Sequence, residues 1–152
     1  MGRLRCAAAG SAMLLVVGLF ASRELPASMP PQRADNPSPQ VIDADHPERS
    51  FHFVLRGEEA RKFKFVRVWI GDIVNPQTVG VSFEVAYRPD TGTRIPLGSF
   101  SLYPSTDPGR FIVATQGRVT RSGTITLSLR TSGPLDPTQP FSLTIDGVEL
   151  SG

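Results

Sequence analysis

From residue 50 onward the apolar positions recur every second residue, which is the spacing of a strand with one buried face. Phe51, Phe53 and Leu55 alternate with His52 and Val54. Phe63 and Phe65 alternate with Lys62 and Lys64 and run into Val66-Arg67-Val68-Trp69-Ile70. Val79, Val81, Phe83, Val85 and Tyr87 give the cleanest alternation, which stops at the turn-forming Pro89-Asp90-Thr91-Gly92. Ile95, Leu97, Phe100 and Leu102 form a return strand halted by Pro104. Beyond Asp107-Pro108-Gly109 come Phe111 to Ala114, then Ile125, Leu127 and Leu129 against Thr124, Thr126, Ser128 and Arg130. Phe141, Leu143 and Ile145 follow, and Asp146-Gly147 leads into Val148 and Leu150.

About seven strands separated by turn signals predict an all-β domain: an Ig-like or Greek-key sandwich, or a small β-barrel, of antiparallel strands. No stretch supports an amphipathic helix beyond a turn near Glu58 to Arg61. The expected core is Phe51, Phe63, Phe65, Val81, Phe83, Val85, Leu97, Phe100, Phe111, Ile125, Leu127, Leu129, Phe141, Leu143 and Ile145. At roughly 1.5–3 kcal/mol for each fully buried side chain, this set offsets the ordering of about 100 residues without a staple.

The first fifty residues have a different character. Arg3 and Arg5 precede an apolar run over residues 6–21, too short for an ordinary transmembrane helix but right for a bacterial-type export signal. Residues 1–28 are therefore expected to be a signal peptide or an N-terminal membrane anchor. Either places the domain outside the cytoplasm, secreted or periplasmic, with residues 6–21 as the candidate tether to the inner membrane. Residues 29–49 carry Pro30, Pro31, Pro37, Pro39 and Pro47 among polar residues, and read as a disordered Pro-rich linker. The β-sandwich domain is then residues 50–152.

Composition removes several chemistries. The one cysteine, Cys6, lies in the leader, so the domain has no disulfide, thiol nucleophile or thiolate ligand. Its one histidine, His52, sits on a strand face, and no Gly-x-Ser-x-Gly elbow, phosphate loop or dinucleotide fingerprint accompanies it. Asp43, Asp45 and His46 read as solvated polarity in the linker, and Glu58 and Glu59 as turn residues rather than a catalytic pair. The formal charge is only +2, with arginines scattered among acids, so no nucleic-acid stripe forms. The expectation is a protein that is not an enzyme and uses no cofactor or metal. Trp69, Tyr87 and Tyr103 are the candidate ligand-binding residues, since aromatic rings stack on sugars or anchor interfaces.

Four segments also carry a family likeness: Val66-Arg67-Val68-Trp69-Ile70, Gly98-Ser99-Phe100, Thr124-Ile125-Thr126-Leu127-Ser128-Leu129, and Leu143-Thr144-Ile145-Asp146-Gly147-Val148. In this order, over residues 51–150, they resemble the C-terminal β-domain of polyphenol oxidases and some bacterial tyrosinases. Arg67 stands where that family has aspartate, and the copper-binding histidines of the oxidase domain are absent. The resemblance implies an accessory or shielding module that packs over the active-site mouth of a copper oxidase supplied by another polypeptide. It carries over no site residue. The partners to be expected are thus another protein, such as that oxidase, or a glycan or other component of the cell envelope.

Overall fold

Strand pairing in this chain is nested, which decides both the shape of the molecule and which side chains share a surface. The computed structural model describes residues 30–36, 39–56 and 63–152. These residues form strands β1 (Gln32–Arg33), β2 (Gln40–Asp43), β3 (Glu48–Phe53), β4 (Phe65–Val74), β5 (Val81–Pro89), β6 (Ile95–Leu102), β7 (Gly109–Ala114), β8 (Gly123–Thr131) and β9 (Ser142–Ser151), with no helix among them. One sheet has five strands, with β1 and β2 lying along successive stretches of β9, followed by β4 and β7. The other has four, in the order β3-β8-β5-β6. Every pairing is antiparallel.

β5 pairs with β6, β4 with β7, β3 with β8 and β2 with β9, and successive pairs go to alternate sheets. The chain is thus one long hairpin, with its tip at the β5–β6 turn, wound into two facing layers. That is the strand order of a jelly roll. The expected Ig-like arrangement is corrected here, because an Ig domain sets strands ABED against CFG. The sheets are also not closed into a barrel.

Alternation along each strand fills the space between the layers. Val66, Val68, Ile70, Leu143, Ile145, Val148 and Leu150 face inward from one sheet, and Phe51, Phe53, Phe83, Val85, Tyr87, Ile125 and Leu127 from the other. Bulges re-phase the pattern in β6, where Leu97 is the extra residue opposite Val85 and Ala86, and in β9, where Asp146 is the extra residue opposite Trp69 and Ile70. Phe65 is the exception to the expected core. Phe63 is buried, but the inward series resumes at Val66, so the alternation slips by one and Phe65 faces outward, 37% exposed. Phe100 and Phe111 are only partly buried. Phe100 stacks on Phe83 at 5.2 Å and on Phe111 at 4.5 Å, so one run of rings ties β6 to β7 across the two sheets.

The opposite side is closed by the segment expected to be a disordered linker. Within residues 29–49 the structure forms β1, β2 and the start of β3, and Ile42 is fully buried. The prolines punctuate these strands without interrupting them: Pro30 and Pro31 precede β1, Pro39 precedes β2 and Pro47 precedes β3. Between the layers, Ala34 N donates to Val148 O and Asp35 N to His52 O. The Asn36 side chain accepts from His52 N at 2.8 Å and donates to Ser50 O at 3.1 Å, satisfying the free edge of β3. The strands of this domain therefore reach back at least to Gln32. The leader, residues 1–28, lies outside the described residues, as do Glu58 and Glu59.

Ile42→Ala is expected to destabilise the fold by about 2–5 kcal/mol, read as a lower midpoint in chemical denaturation. An unchanged midpoint would mean that this segment contributes no packing.

Candidate functional site

The structure does not gather the three aromatic candidates. Tyr87 belongs to the core at 2% exposure, where its hydroxyl donates to Arg121 O at 2.8 Å. Burial pushes its phenol above the ordinary tyrosine range, opposed in part by that hydrogen bond. It is unavailable to a ligand. Trp69 lies on the outer face of the five-stranded sheet, with the Arg110 guanidinium 5.4 Å from its ring centroid. Tyr103 stands in the β6–β7 connection, 98% exposed. Each occupies a different part of the molecule.

What the fold does assemble is a groove on the outer face of the four-stranded sheet. Register sets Glu48, Ser128, Glu84 and Ser99 side by side across β3, β8, β5 and β6, with Ser50, Thr126, Ala86 and Pro96 in the adjacent row. Thr126, Ser128 and Ala86 point away from the core yet are buried, because they are small and their larger neighbours rise around them. Pro47, Glu48, Glu84, Arg94, Pro96 and Arg130 are among the residues bounding the resulting space of about 600 Å³.

Its polar atoms form a connected set. Ser128 Oγ accepts from Arg94 Nη2 at 2.8 Å and donates to Glu48 Oε2 at 2.8 Å, while Arg94 Nη1 reaches the same Glu48 oxygen at 3.2 Å. Arg130 Nη2 donates to Glu84 Oε2 at 3.1 Å. The Ser50 and Thr126 hydroxyls meet at 3.2 Å. The Ser128 hydrogen bond, joined by Arg94, holds the Glu48 carboxyl below the ordinary glutamate range against the opposing effect of burial. Arg130 does the same for Glu84, whose carboxylate in turn raises the Arg130 guanidinium. The groove therefore presents two ionised carboxylates, two guanidiniums and several hydroxyls.

None of Glu48, Glu84, Arg94, Ser128 and Arg130 was singled out from sequence. Glu48 and Ser128 are 80 positions apart, and only the nested pairing brings them together. The single usable signal was the run of hydroxyls Thr124, Thr126 and Ser128 on the polar face of one strand, which marks a face without saying that it is concave.

The remaining polar clusters are local. His52 Nε2 lies 3.1 Å from Asp90 Oδ1 and His52 Nδ1 lies 3.5 Å from Asp35 Oδ2, so the two carboxylates flank opposite ring nitrogens and do not converge on a point. Asp43 accepts from His46 N at 2.7 Å, which closes the β2–β3 turn and holds its carboxyl below the ordinary aspartate range. Among the described residues no group of three His, Cys, Asp or Glu side chains is placed to hold a metal ion. No protein-family model matches the chain, and no characterised protein matches its sequence.

Because the folded-state values of Glu48 and Glu84 are depressed, their pairing stabilises the protein above the ordinary glutamate pKa of about 4.3 and is lost as pH falls through the lower folded values. The wild type is expected to lose melting temperature over that acid interval. Glu48→Gln should flatten the slope, and a variant with the wild-type slope would show that Glu48 makes no such contribution.

Proposed function

We propose that this chain is a non-catalytic binding module working outside the cytoplasm, and that the groove of its four-stranded sheet takes a polyhydroxylated ligand, a glycan of the cell envelope. The observation that carries the reading is the groove itself. It has the volume of an ordinary ligand site, about 300–1,000 Å³, and a floor of hydroxyls walled by alternating acceptors and donors. A sugar hydroxyl both donates and accepts, so it can satisfy Glu48 and Arg94, or Glu84 and Arg130, together. No aromatic side chain is among the lining residues, so orientation would come from hydrogen bonds in place of ring stacking. Two carboxylates held ionised favour binding over glycoside hydrolysis, which needs one carboxyl to retain its proton. The extracytoplasmic location rests on Arg3, Arg5 and the apolar run that follows them.

A second reading has its own observation. As an accessory module of a tyrosinase-like copper oxidase, the chain would cover the mouth of an enzyme whose substrates are phenols. Tyr103 presents a phenol at 98% exposure on the β6–β7 connection. On this reading the chain inhibits such an oxidase in competition with small phenols, and Tyr103→Ala relieves the inhibition. An oxidase indifferent to the wild-type chain would sink it.

For the groove, calorimetric titration with soluble cell-wall glycan fragments is the direct test. Arg94→Ala and Arg130→Ala should each weaken binding by about tenfold or more, the loss of a charge-assisted hydrogen bond, while Tyr103→Ala leaves it unchanged. Undiminished affinity in the double arginine variant would place the ligand elsewhere.

A further inference from the structure

The outer face of the five-stranded sheet carries an array unlike that of the groove. Across β7, β4 and β9 the register sets Ala114, Phe65 and Ser151 in one row, Ile112, Arg67 and Glu149 in the next, and Arg110, Trp69 and Gly147 in the third. Arg33 of β1 continues the middle row beyond Glu149. Ile112 is 57% exposed, Phe65 is partly exposed, and the Trp69 indole leans over Gly147, which has no side chain to displace it. The acid in the array, Glu149, is largely covered and tied to Arg33 Nε at 3.1 Å. Among the described residues neither Arg67 nor Arg110 pairs with a carboxylate, and Arg67 Nε is buried without a hydrogen-bond partner. Over these three rows the face therefore carries guanidiniums with apolar and aromatic side chains set between them, and the Asp146 carboxylate stands beyond them, over Gly71.

We propose that this face docks on an anionic phospholipid surface. Its composition suits one: guanidiniums reach phosphates, while an indole, a phenyl ring and an isoleucine enter the headgroup boundary. A second copy of the chain fits poorly, since a two-fold contact would bring Arg67 and Arg110 towards their own kind. Where the chain enters the fold adds a separate argument. β1 lies at the border of this face, and the apolar run read as a membrane tether ends at Ala21, about ten residues before Gln32. Ten residues span at most ~35 Å, so a tether in the bilayer holds the domain within reach of it, joined at the border of this face. Docking here leaves the groove, on the outer face of the other sheet, turned to solution.

Trp69 is the only tryptophan in the chain, so its emission reports on this face alone. The full chain is mixed with vesicles of phosphatidylcholine, or of phosphatidylcholine with phosphatidylglycerol, each with and without brominated lipid. The expected result is a blue shift and quenching on the anionic vesicles only, reversed by about 0.5 M salt. Arg67→Glu with Arg110→Glu should weaken this response at least ~tenfold. The milder Ile112→Asp, at an exposed position, should also reduce it with an unchanged β-type circular dichroism spectrum. Pelleting of the leader with neutral vesicles is the internal control, because insertion of an apolar segment does not require anionic headgroups. No shift, or an equal shift on neutral vesicles, overturns the proposal. A shift produced by an acidic polypeptide and not by anionic vesicles overturns it too, and assigns the face to an acidic protein.

Discussion

The register between β4 and β9, matched by that between β5 and β8 in the other layer, is the constraint on which the rest of the molecule depends. Side chains alternate across a sheet, so slipping either pair by one residue would turn its buried series out and its solvent series in. With Val66, Val68, Ile70, Leu143, Ile145, Val148 and Leu150 committed inward, Phe65, Arg67, Trp69, Gly147 and Glu149 have no choice but the outer face. The bulge at Asp146 preserves this phase beyond Trp69 by adding a residue to β9, and its carboxylate fills the space that a side chain at Gly71 would need. The two outer surfaces are thus consequences of core packing. Their character then follows from residue size. Small residues at outward positions of β5 and β8 leave a hollow between flanking strands, whereas large ones on β4 make a raised array.

Much of this architecture was legible from residues 50 to 152 alone, because seven of the strands bury one face and so print a period of two. The two strands that escaped notice, β1 and β2, are short, and β2 has only Val41 and Ile42 as apolar residues among prolines and polar groups. Composition makes such a segment look like a spacer. What orders it is not its own apolar content but a ready-made partner, the edge of β9, which supplies backbone hydrogen bonds along Gln40–Asp43 and a fully enclosed site for Ile42. A window of sequence cannot register a partner more than 100 positions away. The misplacement of Phe65 has a related cause: Phe63 and Phe65 hold odd positions and Val66, Val68 and Ile70 even ones, and only the opposing layer decides that the inward series takes Val66.

The candidate site was harder to read for a similar reason. Trp69, Tyr87 and Tyr103 drew attention as individual side chains, and alternation assigned none of them to a particular sheet. Tyr87 proved to be a core residue whose polar tip reaches a backbone carbonyl, a common arrangement for a buried tyrosine. Glu84, Arg94, Ser128 and Arg130 looked like ordinary solvated strand faces and Glu48 like the end of a linker, and each still would if considered alone. Their significance comes from the strand order β3-β8-β5-β6, which no local pattern encodes.

The ion pairs in the groove deserve weighing as energies rather than as contacts. Glu48, Arg94, Glu84 and Arg130 all have side chains about half exposed, from 46% to 62%. Pairs in that setting contribute about 0–1 kcal/mol, because water already solvates both partners well. Such pairs pre-orient their groups without locking them. A ligand hydroxyl arriving between them can replace part of the pairing at little net loss, which a deeply buried pair would not permit. Ser128 is different: its hydroxyl is buried and its donor and acceptor capacities are both engaged, so it fixes the positions of Glu48 and Arg94 relative to the sheet. A rigid hydroxyl beneath exchangeable charges is an arrangement suited to recognition. The hydrogen bonds and ion pairs that position these carboxylates also stabilise their ionised form.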